Sequence, residues 1–151
     1  MATINEMFNR VGDFLKGFSS NIEQAVVVVD SEILDLERDQ LRSNQSNSND
    51  ELITPEYSTN AGVRKKYKKF YDSKKGIKNP NLFDTGSFQN KLILNVNYPK
   101  FEIHSKDYKD PLLREKYGDL IHGIAPSRQN KAYSITTPAI ARLMKSKGIG
   151  E

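Results

Sequence analysis

Apolar residues recur every three or four positions through the first 41 residues and every second position near residue 95, so the chain reads as helices followed by a hairpin. Ile4, Met7, Phe8, Val11, Phe14, Leu15 and Phe18 form one strongly apolar stripe on a short helix, a face that has to be covered. Gly17 and Ser19-Ser20-Asn21 interrupt it, and Ser20 or Asn21 followed by Glu23 or Gln24 has the layout of a capping box for a second helix over 22–41. There Ile22, Ala25, Val26, Val29, Ile33, Leu36 and Leu41 face inward, while Asp30, Glu32, Asp35, Glu37 and Asp39 take the outside. The four valines 26–29 are also a good buried strand by propensity.

Residues 43–50 contain no apolar side chain and predict a mobile loop. Ser58 or Thr59 then caps a third helix with Val63, Tyr67, Phe70 and Tyr71 on one side; Asn79-Pro80 ends the segment. Leu92, Leu94, Val96 and Tyr98 alternate with Lys91, Asn95 and Asn97, Ile93 being the exception on the wet face. Tyr98-Pro99-Lys100 connects this strand to Phe101, Ile103 and Ser105, opposite Glu102 and His104, completing a hairpin. Asp110-Pro111 opens a short helix that Gly118 ends, and Thr137 before Pro138 caps a last helix through Ile140, Leu143 and Met144 to Gly148. The predicted class is α+β: long N-terminal helices packing on a small antiparallel hairpin sheet, with short C-terminal helices, in a single domain over 1–151 without internal repeats.

Composition narrows the chemistry. No cysteine and only two histidines exclude a disulfide framework, a zinc cluster and a cysteine nucleophile. No run approaches the ~20 apolar residues of a membrane span, and the first residues lack a signal-peptide layout, so a cytoplasmic origin is expected. With 36% hydrophobic and 28% charged residues the chain is polar for its 151-residue size, so partners can supply part of its stability. The net charge of +4 conceals an asymmetry: residues 1–60 hold 4 Lys/Arg against 11 Asp/Glu, and residues 61–151 hold 19 against 8. Such a molecule can stack on matched faces of neighbours, or lay its basic side along nucleic acid.

Three groups of residues invite a chemical reading. Asp84-Thr85-Gly86 after Leu82-Phe83 is how an aspartic protease presents its carboxylate, and one copy per chain would demand a homodimer whose two aspartates share a proton. The alternative is a turn, with Gly86 at positive φ and Asp84 closing a local side-chain to backbone hydrogen bond. The basic stretch upstream and the poor second element, Leu120-Ile121-His122-Gly123, favour the turn. His104 and His122, with Asp107 or Asp119, form a candidate metal or acid-base pair, though their spacing matches no ligand pattern. Arg64, Lys65, Lys66, Lys68, Lys69, Lys74, Lys75 and Lys78 surround Tyr67, Phe70 and Tyr71, the mixture used for phosphate contact and base stacking, or equally a helix with an aromatic core face. No phosphate-cradling glycine loop or serine elbow is present, and no cofactor is expected.

The order of several motifs carries further information. Asp-Leu-Glu-Arg-Asp-Gln-Leu at 35–41, Leu-Ile-Thr-Pro-Glu-Tyr-Ser at 52–58, a Lys-rich segment, Leu-Phe-Asp-Thr-Gly-Ser-Phe at 82–88, Phe-Glu-Ile-His-Ser-Lys-Asp at 101–107 and Lys-Tyr-Gly-Asp-Leu-Ile-His-Gly-Ile at 116–124 follow one another. Together, over about residues 30–125, the chain resembles the neck, head-tail connector and tail-completion proteins of tailed bacteriophages. The resemblance implies a non-enzymatic virion protein, made in the bacterial cytoplasm, that forms a ring of six or twelve copies between portal and tail. Its expected partners are its own copies and portal, adaptor or tail proteins, with nonspecific DNA contact through the basic segment and no membrane. The helix within 1–18 and the segment 133–151 lie outside the resemblance and read as docking arms. A basic cytoplasmic nucleic-acid-binding protein is the alternative, and a homodimeric aspartic protease a remote one.

Overall fold

The computed structural model describes residues 3–150. Its helices are α1 (Ile4–Lys16), α2 (Phe18–Val28), α3 (Asp30–Asp39), α4 (Ala61–Lys66), α5 (Lys68–Ser73), α6 (Ser87–Asn90), α7 (Asp110–Tyr117) and α8 (Gln129–Ser146); β1 (Leu92–Asn97) and β2 (Lys100–Ser105) lie between α6 and α7. The fold is α+β, a two-stranded antiparallel sheet with helices at both ends of the chain.

The N-terminal helices differ from the pattern prediction in where they break. Thr3 caps α1 in a reciprocal box, its hydroxyl accepting from the Glu6 amide at 3.2 Å while the Glu6 carboxylate accepts from the Thr3 amide at 2.6 Å. Gly17 ends α1 and α2 resumes at Phe18, so Ser20 and Asn21 lie inside a helix and cap nothing. Asn21 instead is buried, and its Nδ2 donates to the Phe14 carbonyl at 3.0 Å, satisfying an orphan acceptor at the end of α1. The helix predicted over 22–41 is two helices offset at Val29 (φ −114°, ψ 16°), followed by a π-helical turn at Gln40–Asn44. Val26 to Val28 are helical and Val29 caps them: Val26 and Val29 are buried and Val27 and Val28 exposed, a three-residue rather than two-residue period.

Two apolar clusters hold the chain. Ala25, Val26, Val29, Ile33 and Ala139 form one, with Leu94, Val96, Ile103, Ile135 and Leu143 packed around them. Leu41, Ile53, Leu82, Phe88 and Ile121 form the other, joined by Leu113 and Tyr117. The hairpin registers Leu94 against Ile103 and Val96 against Phe101 on one face, and Ile93 against His104 on the other, as the alternation predicted.

Three expectations are corrected here. The last helix begins at Gln129, not at Thr137, and Pro138 lies within it. Its missing N–H and ring cost about 3 kcal/mol in a helix interior, and burial of Ala139 with Ile135 and Leu143 against α2 offsets that. Within 133–150, Ala139 is buried and Ile135, Ile140 and Leu143 pack around it, while most of the remaining side chains are exposed; Glu151 lies outside the described residues. Second, 43–50 is a tied loop: Ser46 bridges to Leu52, Asn47 Oδ1 accepts from the amides of Asn49 and Glu51, and the Ser48 amide donates to the Leu120 carbonyl at 2.8 Å. Asn47 thus serves the loop's own amides, while Asp50 accepts from the Ser127 amide at 2.9 Å across the chain. Third, Asn60, not Ser58 or Thr59, caps the basic helix through the Val63 amide, and that helix is split at Tyr67 into α4 and α5.

Candidate functional site

The N-terminal stripe is where the chain exposes most apolar surface. Ile4 (72% exposed), Phe8 (71%) and Leu15 (61%) point away from the body, with Met7, Val11 and Phe18 also exposed. Phe14 alone among the seven is buried. It anchors an edge-to-face series running Phe14, Phe18, Tyr98 and Phe101, with ring centroids 5.7–6.5 Å apart, that joins the α1–α2 corner to the hairpin tip. The Tyr98 amide also donates to Glu23 at 2.7 Å. Arg10 Nη1 donates to the Gly148 carbonyl at 3.1 Å, which ties the other flank of α1 to the end of α8.

The basic segment divides by function. Arg64, Lys65, Lys66, Lys68, Lys69 and Lys75 are exposed, and only Lys68 is neutralised locally, by Asp72 at 2.5 Å. Tyr67 is exposed as well, with the Lys66 amine 5.4 Å from its ring centre. Lys74 does not belong with them: it is 5% exposed, its amine donates to Asn81 Oδ1 at 2.9 Å, and it lies 5.5 Å and 5.6 Å from the Phe70 and Phe83 rings. Burial lowers its pKa. Tyr57, Phe70 and Tyr71 stack edge to face beneath the arm, so two of its three aromatic residues are held by packing.

Asp84-Thr85-Gly86 forms a turn, with Gly86 at φ 86° and Thr85 Oγ1 accepting from the Ser87 amide at 3.4 Å. The structural role predicted for Asp84 falls elsewhere: Asn81 Oδ1 accepts from the Phe83 amide, while the Asp84 carboxylate is exposed, 3.8 Å from the Lys109 amine. The turn feeds the four-residue helix α6 before β1, not a strand directly, so the flanking strands that an aspartic-protease loop requires are not at this turn. A cavity of about 210 Å³ opens beside it, between Tyr57, Phe83, Phe88, Lys109 and Tyr117.

His122 is the group whose partners sequence spacing missed. Its Nδ1 lies 3.1 Å from Glu37 Oε1 and its Nε2 2.6 Å from Asp110 Oδ1, and Glu37 Oε2 accepts from the Gly123 amide at 3.2 Å. Glu37, predicted on the outer face of its helix, is fully buried. The partners come from 85 and 12 residues away, which no local motif encodes. Burial, the largest single influence, disfavours the charged ring, but Glu37 and then Asp110 outweigh it, and the pKa lies above the ordinary histidine value. When both of its nitrogens carry protons the ring donates to both carboxylates and keeps no lone pair for a metal. His104 lines the same shallow groove as His122, together with Arg114 and Asp119. Neither predicted acid serves the pair: Asp119 accepts from Arg114 at 2.7 Å, and Asp107 is taken by Ser87, Lys91 and the Lys109 amide.

No protein-family model, curated protein or solved structure matches the chain. Among the described residues no group of three or more His, Asp or Glu is arranged to hold a metal ion, and no helix is long and apolar enough to cross a membrane.

Proposed function

We propose that this chain is a non-catalytic virion structural protein that assembles as a ring in the neck of a tailed bacteriophage, between portal and tail, and is built into the particle in the bacterial cytoplasm. The observation that carries the assembly part is the outward stripe of Ile4, Phe8, Val11 and Leu15, an amphipathic helix whose apolar face its own chain leaves largely uncovered. The phage part rests on the ordered motifs between residues 30 and 125. The split in charge between the two halves supports the same reading, since stacked copies or neighbouring rings gain register from matched faces. Dense positive charge in a channel would retard passing DNA, so the arm 64–75 belongs at a protein interface or outside the lumen.

A second reading has its own support: six exposed cations with Tyr67 among them are suited to phosphate and base contact in a nucleic-acid-binding protein. Light scattering of the purified protein, alone and with DNA at moderate salt, separates the two. A ring, or a monomer that ignores DNA and assembles only with other virion proteins, is expected. A small stable dimer with tight, salt-sensitive DNA binding overturns the neck reading.

A further inference from the structure

The uncovered face of α1 has a counterpart elsewhere on the same molecule. Between α2 and α8, floored by Ala25, Val96, Ala139 and Leu143 and walled by Val27 and Val28, runs an open groove of about 680 Å³ to which no residue of α1 contributes. Val27 and Val28 are two β-branched apolar side chains left exposed at its edge. The stretch of α2 from Ser20 to Val28 that lines it is about 12 Å long, and the stripe from Phe8 to Leu15 spans about 10 Å.

We propose that the outward face of α1 seats in the α2–α8 groove of a second copy, head to tail; this rests on the assembly reading above and names the surface that α1 occupies. Area favours a copy of the chain. At the ~150–250 Å² that a large side chain can bury, the stripe exposes on the order of 500–700 Å², as much as the largest patch of an ordinary monomer and most of the ~800 Å² that each partner contributes to a stable interface. Gly12 is an independent pointer. It lies mid-helix beside the stripe, with nothing within 4 Å of where a Cβ would be, and costs its own helix about 1 kcal/mol relative to alanine. A glycine there admits the close approach of a second backbone. Asn5, Asn9 and Lys16 border the outward side of the stripe, and Glu23 and Arg142 are among the residues that line the groove. Because the two surfaces differ, a pair keeps one free α1 on one copy and one free groove on the other, which is the heterologous contact that closes rings.

Two exposed variants test this through complementation. Phe8→Glu with Leu15→Glu disables α1 only, and Val28→Glu disables the groove only, with Val27→Glu in reserve if that protein does not fold by circular dichroism. Each alone is expected to be monomeric by light scattering. An equimolar mixture, which retains one intact α1 and one intact groove, is expected to form heterodimers and nothing larger. Wild-type-like assembly by Val28→Glu, as α1-to-α1 pairing would give, overturns the proposal, and so does a mixture that stays monomeric. Wild-type protein that remains monomeric at high concentration yet joins other virion proteins overturns it too, while leaving the neck reading standing.

Discussion

Asp110 Oδ1 sits 2.6 Å from Nε2 of His122, on the opposite edge of the ring from Glu37. The His122 ring thus links α3 to the first turn of α7 and stands between two buried carboxylates. His122→Ala removes the ring's hydrogen bonds to both carboxylates and leaves Asp110 with Arg114 at 3.9 Å, and removing one member of a buried ionic group costs about 3–5 kcal/mol. Chemical denaturation at neutral pH measures it.

The same cluster sets a pH dependence. The folded state holds the His122 proton more tightly than the unfolded chain does. Its stabilisation is therefore complete below the ordinary histidine pKa of ~6.5 and is lost as pH rises through the raised folded value. A denaturation series from mildly acid to alkaline pH is expected to show this decline in the wild type and not in His122→Ala.

Asp107 behaves in the opposite sense. The Ser87 hydroxyl first, then the Lys109 amide and the Lys91 amine, hold its pKa down at about 2. The contribution is present above the ordinary aspartate value of ~3.9 and is lost as pH falls toward the folded one. Thermal midpoints down an acid series are expected to fall in the wild type, while Asp107→Asn starts lower and falls less. Asp84→Asn, on an exposed turn, is expected to shift stability by no more than about 0.5 kcal/mol.

Gly86→Ala tests the turn that the sequence marked. Its φ of 86° is strained for any side chain, and a Cβ would meet Phe83 Cε2 at 3.1 Å. Gly76 has φ 83° with open space around it. Both alanine variants are expected to destabilise by about 1–2 kcal/mol from the left-handed backbone, with Gly86→Ala the worse because of the added contact; urea midpoints decide.

Within the basic segment the expectation separates Lys74 from its neighbours. Lys74→Ala removes the amine that Asn81 accepts from and is expected to cost about 1–3 kcal/mol. Replacing Lys65, Lys66, Lys68 and Lys69 with Gln is expected to leave the unfolding midpoint nearly unchanged. If that variant also assembles as the wild type does, the arm is an ordinary solvated face.

Periodicity, with Pro111 and Gly118 marking the ends of α7, determined the α+β class, the hairpin with Leu94 and Ile103 on its apolar face, and the apolar stripe of α1. Those features follow from backbone geometry, which repeats every 3.6 or 2 residues whatever lies around it. Tertiary structure decided what local pattern cannot carry. Pro138 and Thr137 read as a helix start, but burial of α8 against α2 carries the helix through them. Glu37 reads as surface on an acidic helix, yet His122, distant in sequence, draws it inside. Lys74 reads as one more cation in a run, and Asn81 with two aromatic rings takes it into the interior. Each reversal has one cause: a contact between residues far apart in the chain outweighs a preference worth about 1 kcal/mol or less per residue.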